Sequence, residues 1–277
     1  MLKSSISFLG AALVAVTITA CGSSGGRNGF PQGLYIADGK EGEIGRLYLV
    51  DETTGDVLET IGDLPACITA LALSPDGSIY GTTCGAAPNS HLNLLYRLTY
   101  LGEDDSVDVK KVGAIDFGDE DEADAISGLA FIGDVLYGWE GGTSAPRLFT
   151  IDTDTAEAEL VGSDSDIDSY YGNSLAADSD GTLFAFEYIG TEKYMILDPD
   201  DGSVLEELGE VDYGTDGAYG VGDMTFIGDQ LYGIEVDDSG VDDDDYPSGL
   251  VRINPETGKN TLITELPSSI SALVYVP

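Results

Sequence analysis

The chain has one histidine, one tryptophan, three cysteines and only 11 Lys+Arg in 277 residues. With one histidine a three-histidine zinc site is impossible. His91, in the loop GAAPNSHL, has no serine or cysteine at a spacing that suggests a triad. The few basic residues face 51 Asp+Glu, a net charge of −40. Such a surface repels phosphate backbones and anionic bilayers, which argues against nucleic-acid binding. Helix-period apolar patterns are absent beyond the first 20 residues, and no later run approaches the ~20 residues of a membrane-spanning helix. The 42% hydrophobic content is interleaved with the acids, which points to a folded domain with an acidic surface rather than a disordered polyacid.

The first 20 residues read as an export signal, with Lys3 in the charged region and an apolar run over 8–20. The run ends Ile18-Thr19-Ala20-Cys21, which resembles the bacterial lipobox. That resemblance implies lipidation of Cys21 and anchoring to the cell envelope, and Gly22 in place of an acid favours the outer membrane. An ordinary secretory signal with a chance cysteine is the alternative. Residues 21–32 then form a Gly/Ser-rich tether and 33–277 one domain. Without Lys3 the mature chain has 10 basic and 51 acidic residues, a net charge of −41.

The mature chain is repetitive. A short strand with an aromatic second residue recurs at Tyr35, Tyr80, Tyr137, Phe184 and Tyr232, at spacings of 45, 57, 47 and 48. A second apolar strand follows each one, over 47–51, 95–99, 148–152, 194–198 and 250–254. Turns such as ETTG, DPDDG and NPETG come next, then a weaker strand, then a fourth that precedes the next aromatic strand. Five sets of four predict an all-β, five-bladed β-propeller with four antiparallel strands per blade. Residues 126–162 make one whole blade. The C-terminal strand is expected to pair with the N-terminal strand and close the ring.

The fourth strand of each set is expected to be innermost. Ala70, Gly128, Ser174, Asp223 and Ala272 hold one equivalent position there, and Leu71, Leu129, Leu175, Met224 and Leu273 the next. The large set is expected to pack between blades and the small set to face the crowded axis. In the SPDG hairpin, Leu73 opposite Ser78 brings Cys67 opposite Cys84, a plausible disulfide contributing about 3 kcal/mol, with two free thiols as the alternative. The pattern LAF…G..LYG…RL..ID..TG, carried by residues 129–152 and again by 224–258 with Met224 and Asn254 as departures, resembles bacterial secreted propellers with NHL-like or YVTN-like repeats. The resemblance covers about 240 residues and implies a fold but no activity.

Loops rich in acids and tyrosines, at 116–124, 164–171, 212–219 and 237–246, are expected on one face. Asp38, Glu140, Glu187 and Glu235 end four of the aromatic strands, with Thr83 in the fifth, which suggests either solvated strand ends or a carboxylate ring around the channel mouth for a cation or basic ligand. Trp139 either packs between blades or joins Glu140 and nearby tyrosines in a ligand surface. Asp164, Asp166 and Asp168 have the alternating spacing of a Ca2+ loop but lack the Gly and Glu that complete one. Asp223, charged within a small-residue series, is the first mutational target. The leading expectation is a binding module for a basic ligand or a protein. The alternative is a hydrolase or lyase using Asp223, Glu140 or Glu187, or a bound divalent cation.

Overall fold

Short runs of branched and aromatic residues, each stopped by a Gly-, Asp- or Pro-containing turn, fold as twenty antiparallel strands. The computed structural model describes residues 29–38, 44–83, 93–102, 106–118, 125–141, 146–162, 172–187, 192–215, 218, 220–236, 248–266 and 270–277. Blade 1 is β20 (Ile270–Val276), β1 (Gly33–Asp38), β2 (Gly45–Val50) and β3 (Val57–Leu64), hydrogen-bonded in that order. Blade 2 is β4 (Ile68–Leu73), β5 (Ile79–Thr83), β6 (Leu94–Tyr100) and β7 (Val107–Ala114). Blade 3 is β8 (Ala125–Ile132), β9 (Val135–Gly141), β10 (Leu148–Ile151) and β11 (Ala158–Leu160). Blade 4 is β12 (Gly172–Ala177), β13 (Leu183–Glu187), β14 (Lys193–Leu197) and β15 (Val204–Glu210). Blade 5 is β16 (Gly220–Ile227), β17 (Gln230–Val236), β18 (Ser248–Asn254) and β19 (Lys259–Leu266). The inner strands β4, β8, β12, β16 and β20 contact their neighbours around the ring. The last strand, β20, pairs with the first, β1, and closes it.

The core is five separate inter-blade layers, and their composition corrects one expectation. The small inner residues do not face the axis. Ala70 and Ala72 of blade 2 pack with Leu129 and Ile126 of blade 3. Ala130 packs with Leu175, Ala176 with Met224, and Ala272 with Leu71. Each blade thus presents small residues to the following blade and a Leu or Met to the preceding one. The two faces of an inner strand both point sideways, and only its backbone edge points to the axis. At Gly128 the fit is close: an added Cβ would lie 2.6 Å from the amide nitrogen of Leu175.

In every blade the pairing of the inner strand slips by one residue at the same level. The skipped residues are Thr69, Ser127, Asn173, Gly222 and Ser271, so each inner strand carries a β-bulge near its start. The bulge also alters the cysteine hairpin. Leu73 faces Ile79, not Ser78, and the slip at Thr69 then brings Ile68 opposite Thr83. Cys67 is buried and disulfide-bonded; Cys84, its expected partner, lies outside the described residues. Packing also starts before residue 33. Phe30, in the stretch read as tether, is buried 5.3 Å from the Tyr35 ring and 5.7 Å from the Tyr100 ring.

Gly128→Ala is expected to destabilise the fold by about 1–3 kcal/mol, because the new methyl meets backbone that cannot rotate away. Urea denaturation checks this. An unchanged midpoint would mean the blade 3–4 layer is looser than its geometry implies.

Candidate functional site

The five inner strands turn their unpaired backbone edges toward one another, and a buried N–H must find an acceptor. Asp223 supplies it. One carboxylate oxygen accepts from Leu71 N of blade 2 at 3.1 Å and from Leu273 N of blade 1 at 3.0 Å, and the other accepts from Met224 N at 3.0 Å. Thr225 Oγ1 accepts from Tyr275 N at 3.3 Å. Blade 5 therefore holds the closing strand β20 by side chains, in addition to the β20–β1 ladder. Asp223 is fully buried. Burial pushes its carboxyl well above the ordinary 3.8, and the three amides oppose that shift. No surface of this group is open to a ligand, so the first mutational target proves to be a tie across the axis.

The strand-end acids hold equivalent positions, as the repeat implies. Glu140 pairs with Ile126, Glu187 with Gly172, Glu235 with Val221, Asp38 with Ile270 and Thr83 with Ile68. Asp38, Glu140 and Glu235 are engaged internally. Asp38, half-buried, accepts from Arg46 N at 2.6 Å and from the Tyr48 hydroxyl at 2.7 Å. Glu140, fully buried, takes a two-point contact from Arg147 at 2.8 and 3.1 Å, and that guanidinium lies 5.5 Å from the Phe149 ring centre. Glu235, also fully buried, accepts from Gly214 N, Thr215 N and Asn260 Nδ2 at 2.7–2.9 Å. Asn260 in turn accepts from the Tyr194 hydroxyl of blade 4 at 2.9 Å. Glu235 thus straps the crossover from blade 4 into blade 5. In blade 2 Thr83 does a similar task, accepting from Leu94 N at 3.1 Å. Glu187 is 6% exposed.

Trp139 is fully buried among Leu175, Leu183, Ala185 and Met195 between blades 3 and 4. That is the packing alternative of the two readings for this residue. The bulges, which sequence reasoning missed, add hydroxyls at the inner strands: Ser271 Oγ donates to Ile68 O of the next blade at 2.6 Å, and Thr69 Oγ1 donates to Thr82 O at 3.3 Å. In sequence they are marked only by a Thr, Ser, Asn or Gly one position before the Ala/Gly/Ser/Asp series, which does not distinguish a slip from regular pairing. Asp164, Asp166, Asp168, Cys21 and His91 lie outside the described residues. Among the described residues no cluster of three His, Cys, Asp or Glu could hold a metal ion.

No protein-family model matches this chain, and no curated protein does. Solved structures share the fold at low identity. A GH43 glycoside hydrolase aligns with a TM-score of 0.50 at 14% identity, covering 72% of this chain and 41% of that one. The glutaminyl cyclase of Myxococcus xanthus aligns at 0.49 and 15%, covering 75% and 86%. A puromycin hydrolase aligns at 0.41 and 16%, covering 75% and 30%. The chain thus spans less than half of the two hydrolases. The propeller is shown by the blade topology itself, and none of these likenesses carries an activity with it.

Asp223→Ala should strand three backbone N–H groups and cost about 3–5 kcal/mol of stability by urea denaturation. Asp223→Asn tests the charge. The folded carboxyl keeps its proton to a higher pH than the unfolded one, so the wild type loses stability as pH rises through that window. Its margin over Asp223→Asn should therefore narrow as pH rises above the ordinary carboxyl range. A margin that widens would show that the three amides outweigh burial.

Proposed function

We propose that the protein is an exported, lipid-anchored propeller that binds a cationic ligand or basic partner through its acidic loop face. The observation that supports this reading is the division of labour among the acids. Asp223, Glu140 and Glu235 are buried and engaged within the fold. Most of the net charge of −40 is thereby left to the surface. A field of that sign concentrates cations and speeds their encounter. Lipidation at Cys21 and an outer-membrane location belong to the same reading, as does a Ca2+ site at Asp164, Asp166 and Asp168.

The second reading is a hydrolase or lyase. A carboxylate acting on substrate needs access to it, and Glu187, with 6% exposure, is the buried strand-end acid that retains the most. Glu187→Gln is thus the first substitution for any turnover found.

The test is a melting-temperature screen with Ca2+, spermidine and oligolysine. At about 20 mM salt the polycations should raise the melting temperature by several degrees, and at about 500 mM the shift should vanish, since screening shortens the field. No shift with any cation at low salt would overturn the reading. Cys21→Ser should move the protein from the membrane fraction to the soluble one.

A further inference from the structure

On the face opposite the long loops, two blade boundaries share one construction. Between blades 2 and 3, the Tyr80 and Phe131 rings meet at 5.6 Å below the SPDG turn. Between blades 4 and 5, Phe184 and Phe226 meet at 5.2 Å below the DSDG turn. The turns match in backbone, although Ser78 N donates to Asp76 Oδ1 in one and Thr182 N to Asp178 Oδ1 in the other. Gly77 and Gly181 have φ of 86° and 85°, and both amides return to the first turn residue, Gly77 N to Ser74 O at 2.9 Å and Gly181 N to Asp178 O at 3.2 Å. Asp180 stands where Asp76 stands, Thr182 where Ser78 stands, and Glu256 where Asp154 stands.

The first cleft is filled from within. Arg97, opposite Tyr80 in the ladder, lies 5.9 Å from that ring's centre. Its Nη2 donates to Asp76 Oδ2 at 2.6 Å and its Nε to Ser78 Oγ at 3.0 Å. The Tyr80 side chain also hydrogen-bonds Thr153. The second cleft keeps the acids and the aromatic pair but lacks these fillers. Ile196 stands opposite Phe184 in place of the arginine. Phe184 has no hydroxyl, and Pro255 replaces Thr153. What remains is a cavity of about 410 Å³ lined by Asp178, Asp180, Phe184, Phe226, Asp229 and Glu256, among others. Asp178 is used by its own turn, accepting from Asp180 N and Thr182 N.

We propose that the cleft between blades 4 and 5 binds an alkylguanidinium group from outside, seated as Arg97 is seated in its sister cleft. The ring faces supply cation–π attraction and Asp180 the charge-assisted hydrogen bonds. This site lies on the face opposite the acidic loops and does not depend on the loop-face reading. The guanidinium can come from a free small molecule or from an arginine side chain of a partner. Agmatine and a capped arginyl tripeptide represent the two.

Isothermal titration of the whole exported domain with both probes tests the site by its stoichiometry. The wild type should bind one equivalent of at least one probe. Ile196→Arg should fill the cleft from within and abolish binding. Arg97→Ala should vacate the sister cleft and raise the stoichiometry to two. Asp180→Asn with Glu256→Gln, both at surface turns, should weaken binding about tenfold, the loss of roughly 1.4 kcal/mol. Preference for the tripeptide identifies a protein partner and preference for agmatine a free ligand. The proposal fails if neither probe binds, or if Ile196→Arg and the double variant bind as the wild type does. Binding that persists in Ile196→Arg alone, with a melting temperature below wild type, would leave the double variant to decide.

Discussion

A propeller leaves a problem at its centre. Five inner strands each have one edge without a strand to pair with. Here a single carboxylate addresses part of it. Asp223 accepts amide protons from blades 5, 1 and 2, so one side chain holds three walls in register. Backbone N–H groups left without an acceptor cost about 1–3 kcal/mol each. The blade that receives the closing strand depends on this contact most, because Thr225 accepts a further amide from the same strand. The desolvation of the carboxyl is the cost of this arrangement, and it explains why the group is a single residue rather than a five-fold ring.

The strand-end acids follow a related logic one strand further out. Glu235 accepts two amides of the incoming crossover, and Asp38 and Thr83 each accept one from the strand beside them. Where the chain turns from one strand to another, amides are stranded for want of a ladder partner. A short acid or hydroxyl at the strand end meets that need. Asp38, Glu235 and Thr83 share this backbone requirement, which is why a threonine can stand at the position, whereas Glu140 takes a side-chain partner, Arg147.

The architecture was legible because the aromatic spacing and the four-strand unit depend on local pattern alone. Closure by β20 followed from the strand order. The direction of the small inner residues was not legible, because periodicity separates two faces without saying that both of them meet neighbouring blades. The bulges escaped for a similar reason: Thr69, Ser127 and Ser271 sit in otherwise regular alternation, and a one-residue slip shows only when the partner strand is placed. Asp223 was visible as an anomaly, but its meaning was not. The amides it accepts lie 152 and 50 residues away and come together only when the ring closes.

Repetition gives this fold an internal comparison that a single-copy fold lacks. When two blade boundaries share turn, aromatic pair and acids, the differences between them stand out against a fixed background. Arg97 shows how such a cleft satisfies itself, with a guanidinium between a carboxylate and a ring face. The sister cleft lacks the cation, the tyrosine hydroxyl and the threonine, yet carries Asp180 and Glu256. Two carboxylates beside an open cavity and an aromatic pair are what a site for an incoming cation requires.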